Sequence, residues 1–160
     1  MTAVRAGAGS ALDGFDDWYA TAFRGAAQLA HLLTGSNEVA EDLAQDAMLK
    51  VRDRDDQLSN RDAYLRVVIV NLARNWHRSR QRRLLRDRRA ATPDAAAEAH
   101  EYAGMLAVVD RLPFRQRTVI VARYWLDLPE SEIAELVGCR PGTVKSLASR
   151  AMDTLRRELG

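Results

Sequence analysis

Leu128-Pro-Glu-Ser-Glu-Ile-Ala-Glu-Leu-Val-Gly-Cys-Arg-Pro-Gly-Thr-Val-Lys-Ser-Leu-Ala-Ser-Arg-Ala151 decides the fold. The small Ala134 lets two helices touch. Gly138, four positions on, suits the left-handed turn that a residue with a Cβ resists. Val144 plugs the angle between the helices, and Ile133, Val137 and Leu147 fill the rest of a small core. Pro141 sits in the first turn of the second helix, where a missing N–H costs little. Thr143, Lys145, Ser146, Ser149 and Arg150 fall away from the core side. This is the layout of a helix-turn-helix whose outer face enters a major groove. An ordinary αα-hairpin is the alternative, because it also carries Ala and Gly near its turn.

Working outward, the 160-residue chain is 47% hydrophobic and 29% charged, as a globular soluble protein is. Ala, Leu and Arg are plentiful, strand-favouring aromatics are few, and no strand-period segment or internal repeat occurs. The expected fold is all-α, as two small helical domains joined by a linker. Net charge is only +2, but its distribution is uneven. Residues 74–89 hold eight arginines and one acid, Asp87, whereas residues 92–110 hold four acids and no Lys or Arg. A basic block of this kind suits a polyanion, and the acidic stretch after it avoids the polyanion or covers the basic face.

The periodicity places the elements. Residues 1–12 are Ala/Gly-rich and expected to be flexible. From Asp13, apolar residues recur every three or four positions through Phe15, Trp18, Tyr19, Phe23, Leu29 and Leu33 to a stop at Gly35. Ser36-Asn37 caps a second helix, with Val39, Leu43, Ala47, Met48 and Val51 inward. Residues 52–60 are a polar loop, and Ser59-Asn-Arg-Asp62 approximates a capping box. A third helix carries Tyr64, Leu65, Val68, Ile69, Leu72, Ala73 and Trp76 on one face. That face fades into the arginine tail, which leaves the core. The domains are therefore 13–90 and 100–160, with 91–99, around Pro93, as the linker. A helix over 98–111 and another from Pro113, carrying Val119, Ile120, Tyr124 and Trp125, precede the helix-turn-helix.

Three segments resemble the extracytoplasmic-function group of bacterial RNA polymerase sigma factors, the smallest of the sigma factors, which consist of regions 2 and 4. Ala40-Glu-Asp-Leu-Ala-Gln-Asp-Ala-Met-Leu-Lys-Val51 is similar to the region 2 signature AEDLVQETFLRV. Ala63-Tyr-Leu-Arg-Val-Val-Ile-Val-Asn-Leu-Ala-Arg-Asn-Trp76 and its arginine tail resemble the helix that meets the −10 element. Leu112-Pro113 with Arg115-Gln-Arg117, then Ile133-Ala-Glu and Gly142-Thr-Val-Lys-Ser146, resembles region 4. The phrase Ser146-Leu-Ala-Ser-Arg-Ala151 looks most like an actinobacterial branch.

The resemblance implies roles. Glu41, Asp42, Gln45, Asp46 and Leu49 would dock on the β′ clamp helices of core RNA polymerase, and the β flap would be a second contact; a solvated helix face is the alternative. Asn71 and Asn75, with Arg74, Arg78, Arg80, Arg82 and Arg83, would meet the −10 element, the arginines by neutralising phosphates. Asn71 is equally suited to a structural hydrogen bond. The loop 52–60 aligns with the one that captures a flipped −10 base, but it has no aromatic and is rich in Arg and Asp. Arg140, Thr143, Lys145, Ser146, Ser149 and Arg150 would meet the −35 element, with Arg150 matched to guanine O6 and N7. Leu147 and Ser149 replace the Arg and bulky residues more usual there.

No enzyme is expected. His31, His77 and His100 lack metal-ligand spacing, the lone Cys139 makes no disulfide framework, and the Gly-Thr-Val-Lys-Ser stretch lacks the glycine spacing of a P-loop. No cofactor is implied. No signal peptide or membrane span is legible, so the cytoplasm is the expected location. An anti-sigma factor is a further possible partner. A stand-alone helix-turn-helix repressor and an interaction adaptor without DNA binding are the competing functions. The free chain is expected to be compact, with region 4 folded back, its DNA-reading face partly covered, and closure supplied through Trp125 or Trp76.

Overall fold

The computed structural model describes residues 6–89 and 104–160, with side chains from residue 14. Seven α-helices occupy these residues, and no strand is present among them: α1 (Ala6–Thr34), α2 (Asn37–Asp53), α3 (Arg61–Arg89), α4 (Met105–Arg111), α5 (Phe114–Tyr124), α6 (Glu130–Val137) and α7 (Pro141–Leu159). A single 3-10 turn, Asp55–Gln57, lies in the loop after α2. The linker 91–99 and the first part of the helix expected over 98–111 lie outside the described residues. None of the described helices is long and apolar enough to cross a membrane.

The N-terminal half is a three-helix bundle in which α1, α2 and α3 pack pairwise. Leu29, Leu33, Ala44, Met48, Val51, Leu65 and Ile69 are buried at its centre. The stop at Gly35 is as expected, with a left-handed φ of 76° and its N–H donating to His31 O at 2.8 Å. The start is not, because α1 begins at Ala6 rather than Asp13. Alanine is the best helix former, and lengthening an existing helix carries no nucleation cost. Ser36 caps α2 by accepting from Val39 N at 3.3 Å. The cap of α3 falls one residue later than the expected Ser59: Asn60 Oδ1 accepts from Ala63 N at 3.0 Å.

The C-terminal half packs α5, α6 and α7 around Val119, Ile120, Ile133, Val137, Val144 and Leu147, with α4 against α7. Gly138 takes a φ of 72°, and both Gly138 N and Cys139 N donate to Ala134 O, closing the helix-turn-helix. Pro141 stands in the first turn of α7. Cys139 is half-buried against this core rather than inside it.

Candidate polymerase and nucleic-acid interfaces

Five residues singled out on α2 stand together. Its inner side buries Ala40, Ala44, Ala47, Met48 and Val51, which leaves Glu41, Asp42, Gln45, Asp46 and Leu49 exposed on the outer side. Leu49 is 46% exposed, a large apolar group among acids. Beside it, Phe15, Tyr19, Met48 and the 3-10 turn line an open cavity of about 730 Å³ with Asp16, Asp55 and Asp56 at its rim.

The loop after α2 is anchored from below. Arg61 forks onto the Asp55 carboxylate, with its Nη2 donating to Oδ2 at 2.7 Å. Its guanidinium also lies 5.6 Å from the Phe15 ring centre and 5.7 Å from that of Trp18. The hydrogen bond from Arg61 holds the Asp55 carboxyl below the usual carboxylate range. Trp18 Nε1 donates to Asp62 Oδ1 at 2.8 Å, tying α1 to the first turn of α3.

On α3, helical spacing of about 100° per residue puts Asn71, Arg74, Asn75, Arg78 and Arg82 on one side. Arg80 lies roughly half a turn round the helix, over the Trp76 ring at 5.4 Å, and Arg83 sits between the two sides. Asn71, Asn75, Arg78, Arg82 and Arg83 are exposed. Arg74 is only half-exposed: its Nη1 donates to Asn71 Oδ1 at 2.9 Å, and its guanidinium lies 5.9 Å from the Phe114 ring centre on α5. On α7, Lys145, Ser146, Ser149 and Arg150 form one exposed side opposite Val144, Leu147, Ala148 and Ala151. Thr143 sits half-buried at its edge, and Arg140 is exposed at the N-cap.

The two halves meet along a seam that sequence reasoning did not locate. It joins α1 to α4 and α5, and α3 to α5 and α6. Its centre is the Leu33 carbonyl, an acceptor left over at the C-terminal end of α1. His77 Nε2 donates to it at 2.6 Å and Arg117 Nη1 at 2.8 Å. Arg117 also pairs with Asp110 Oδ1 at 3.2 Å, and its Nη2 donates to Asp110 O and Leu112 O. A guanidinium at a helix C-terminus meets the negative end of the helix dipole. Phe114 lies 5.2 Å from the His77 ring, and Arg66 reaches Glu132 at 3.5 Å. Burial, then the neighbouring Arg117 charge, pushes the His77 imidazole below its ordinary range, even though its bond to Leu33 O opposes the shift.

The halves are thus closed on each other, but among the described residues the expected covering of the recognition helix is not found. The outer side of α7 is bare, and it is α3 that the C-terminal half presses upon. Trp125 does face α1, in a small cleft with His31 and Leu32. Trp76 instead stacks edge-on against His77 at 4.9 Å. The buried Val70, which lies off the α3 stripe, and the unbroken apolar run 67–70 were the available signal of a second packed face. A further apolar cavity of about 640 Å³ opens between α4, α5 and α7, lined by Met105, Ile120, Tyr124, Met152 and Leu155. No group of three His, Cys, Asp or Glu side chains among the described residues could hold a metal.

Residues 11–83 match the family Sigma-70 region 2, and residues 103–155 match Sigma-70, region 4. The chain is 34% identical over 126 residues to an RNA polymerase sigma-E factor of Streptomyces avermitilis, covering 75% of this chain and 70% of that protein. It is 35% identical over 126 residues to the RNA polymerase sigma-E factor of Streptomyces coelicolor, covering 75% and 71%. Its fold is that of the sigma factor RpoE of Bartonella quintana, solved in complex with the anti-sigma factor NepR. That match has a TM-score of 0.72 and 24% identity, and it covers 90% of this chain and 95% of that one.

Proposed function

We propose residue roles from one premise: the chain belongs to the extracytoplasmic-function group of RNA polymerase sigma factors and directs promoter-specific transcription initiation. Residues 13–90 act as region 2, 91–99 as the linker and 100–160 as region 4. The outer side of α2 docks on the β′ clamp helices through Asp42, Gln45 and Leu49, with Glu41 and Asp46 beside them. Acids flanking one exposed leucine suit a basic partner surface with an apolar centre. Asn71, Asn75 and the α3 arginines meet the −10 element, Arg80 from the flank. Arg140, Thr143, Lys145, Ser146, Ser149 and Arg150 meet the −35 element.

The apolar cavity between α4, α5 and α7 suits the apolar face of a helix, and we assign it to the β flap. An anti-sigma factor is a further partner, as it is for the Bartonella protein. The chemistry of RNA synthesis stays with the core enzyme, so the chain itself is not a catalyst, and it works in the cytoplasm with the polymerase. The stand-alone repressor and the adaptor have no support among the relatives.

The observation that carries these roles is the clean division of α2 and α7 into a buried and an exposed side, α7 with Val144, Leu147, Ala148 and Ala151 buried and Lys145, Ser146, Ser149 and Arg150 exposed. Promoter-dependent transcription by purified core enzyme is the test. Asp42→Arg with Gln45→Ala is expected to abolish transcription and co-purification with core while helix content is unchanged. Undiminished co-purification would sink the α2 assignment.

A further inference from the structure

The seam joins groups that oppose each other. His77 on α3 faces Arg117 of α5, whose Nη1 is 3.3 Å from His77 Nε2. Nε2 cannot both donate to Leu33 O and accept from Arg117, so it carries its proton toward the carbonyl. Arg80 on α3 acts on the ring as well, and Asp110, in the last turn of α4, is the acid on this side among the described residues. Arg78 and Arg115 crowd the neighbouring Arg74. From α1 the Leu33 carbonyl faces the ring. Among the described residues the guanidinium groups of Arg117 and Arg80 both disfavour a proton on the ring, while Asp110 favours it and is engaged by Arg117. His31, the other described histidine, lies at the seam's far side near Asp110.

We propose that the contact of Phe114 and Arg117 with His77 and the Leu33 carbonyl is a latch that holds region 4 against the reading stretch of α3, and that protonation of His77 opens it. The closed latch ties up Arg74 under Phe114, so region 2 cannot present its full basic side until region 4 swings away. This rests on the assignment of α3 to the −10 element. A neutral His77 is compatible with the seam. An imidazolium would place another cation beside Arg117 and Arg80, where burial weakens screening.

The sign follows from linkage. In the open chain His77 is solvated and titrates near the ordinary value of about 6.5. In the closed chain it binds its proton less readily. Closure is undiminished above that ordinary value. It is lost as pH falls below it, because the open form takes the proton first. A single site shifts the open-to-closed ratio by at most about tenfold per pH unit.

The test is small-angle scattering of the full chain in a His100→Gln background, at about pH 8 and about pH 5.5. The expected radius of gyration is near the roughly 15 Å of a compact chain of this length at the higher pH. At the lower pH it rises by several ångström with helix content unchanged. His77→Gln, whose amide still donates to Leu33 O but does not titrate, stays compact at both. His31→Gln keeps the response, and Phe114→Ser is expanded at both. Equal dimensions at the two pH values, expansion of His77→Gln like its parent, or loss of helix content with the expansion would overturn the latch. A labelled single-stranded DNA of mixed sequence separates the two readings, with Phe114→Ser expected to bind it severalfold more tightly at about pH 8. An opened chain with unchanged DNA affinity leaves the latch standing and overturns the assignment of α3 instead.

Discussion

α7 and α3 are both basic helices with a main apolar stripe, yet one is exposed on its outer side and the other is partly covered there. Among the described residues α7 packs chiefly within its own half, against α4, α5 and α6. Its outer residues are left exposed. α3 packs against α1 and α2 on one side and against α5 and α6 on another. A helix with one buried stripe keeps its reading surface permanently available, whereas a helix with two can have part of that surface withdrawn. The difference is set by residues off the main stripe, such as Val70, rather than by the basic residues themselves.

The sharpest way to break the comparison is to remove the private core of α7. Val144 is 1% exposed, so Val144→Asp buries an unpaired carboxylate at a cost of about 3–5 kcal/mol, comparable with the whole stability of so small a unit. Amide hydrogen exchange should show protection lost throughout α5–α7 and retained in α1–α2. Loss in both halves together would mean that they fold as one unit.

A smaller effect is expected on the exposed side. Arg150→Ala should weaken discrimination at one −35 base pair by about 1–3 kcal/mol without changing stability. Competition binding with core enzyme across single-base −35 variants reads this, and an unchanged preference at every position refutes the contact. The caps come next. Ser36→Ala and Asn60→Ala should each lower the denaturant midpoint of the N-terminal half by an amount equivalent to about 1 kcal/mol at constant slope. The smallest effect belongs to the tail. Arg82→Ala should reduce the salt dependence of promoter binding by about one phosphate contact, equally for all sequences. A sequence-selective loss there would move Arg82 from the backbone to a base.

Much of this was legible in the residues. Ala134, Gly138 and Val144 are local signals four and six positions apart, and the helix-turn-helix they specify is present with Gly138 left-handed as required. The stripe of α2 likewise separates its buried alanines from its acidic outer side without any long-range information. The seam was not legible for a physical reason. Leu33 and Arg117 are 84 positions apart, and their bond joins a backbone carbonyl to a side chain. Such a pair has no periodicity, and any residue can supply the carbonyl. The charge segregation between residues 74–89 and 92–110 pointed toward closure, but most of its acidic partner stretch lies outside the described residues. Of the four acids in that stretch only Asp110 lies among the described residues, and it engages Arg117 of its own half.

The use of a main-chain carbonyl as the strike of the seam has a genetic consequence. No codon change at position 33 deletes that oxygen; it alters only a leucine side chain packed in the interior of the N-terminal bundle. Heritable loosening of the closed arrangement must therefore arise on the other partners. A selection for derepressed variants should return lesions at His77 and Phe114 rather than at Leu33. Changes recovered at Leu33 should instead behave as temperature-sensitive folding alleles.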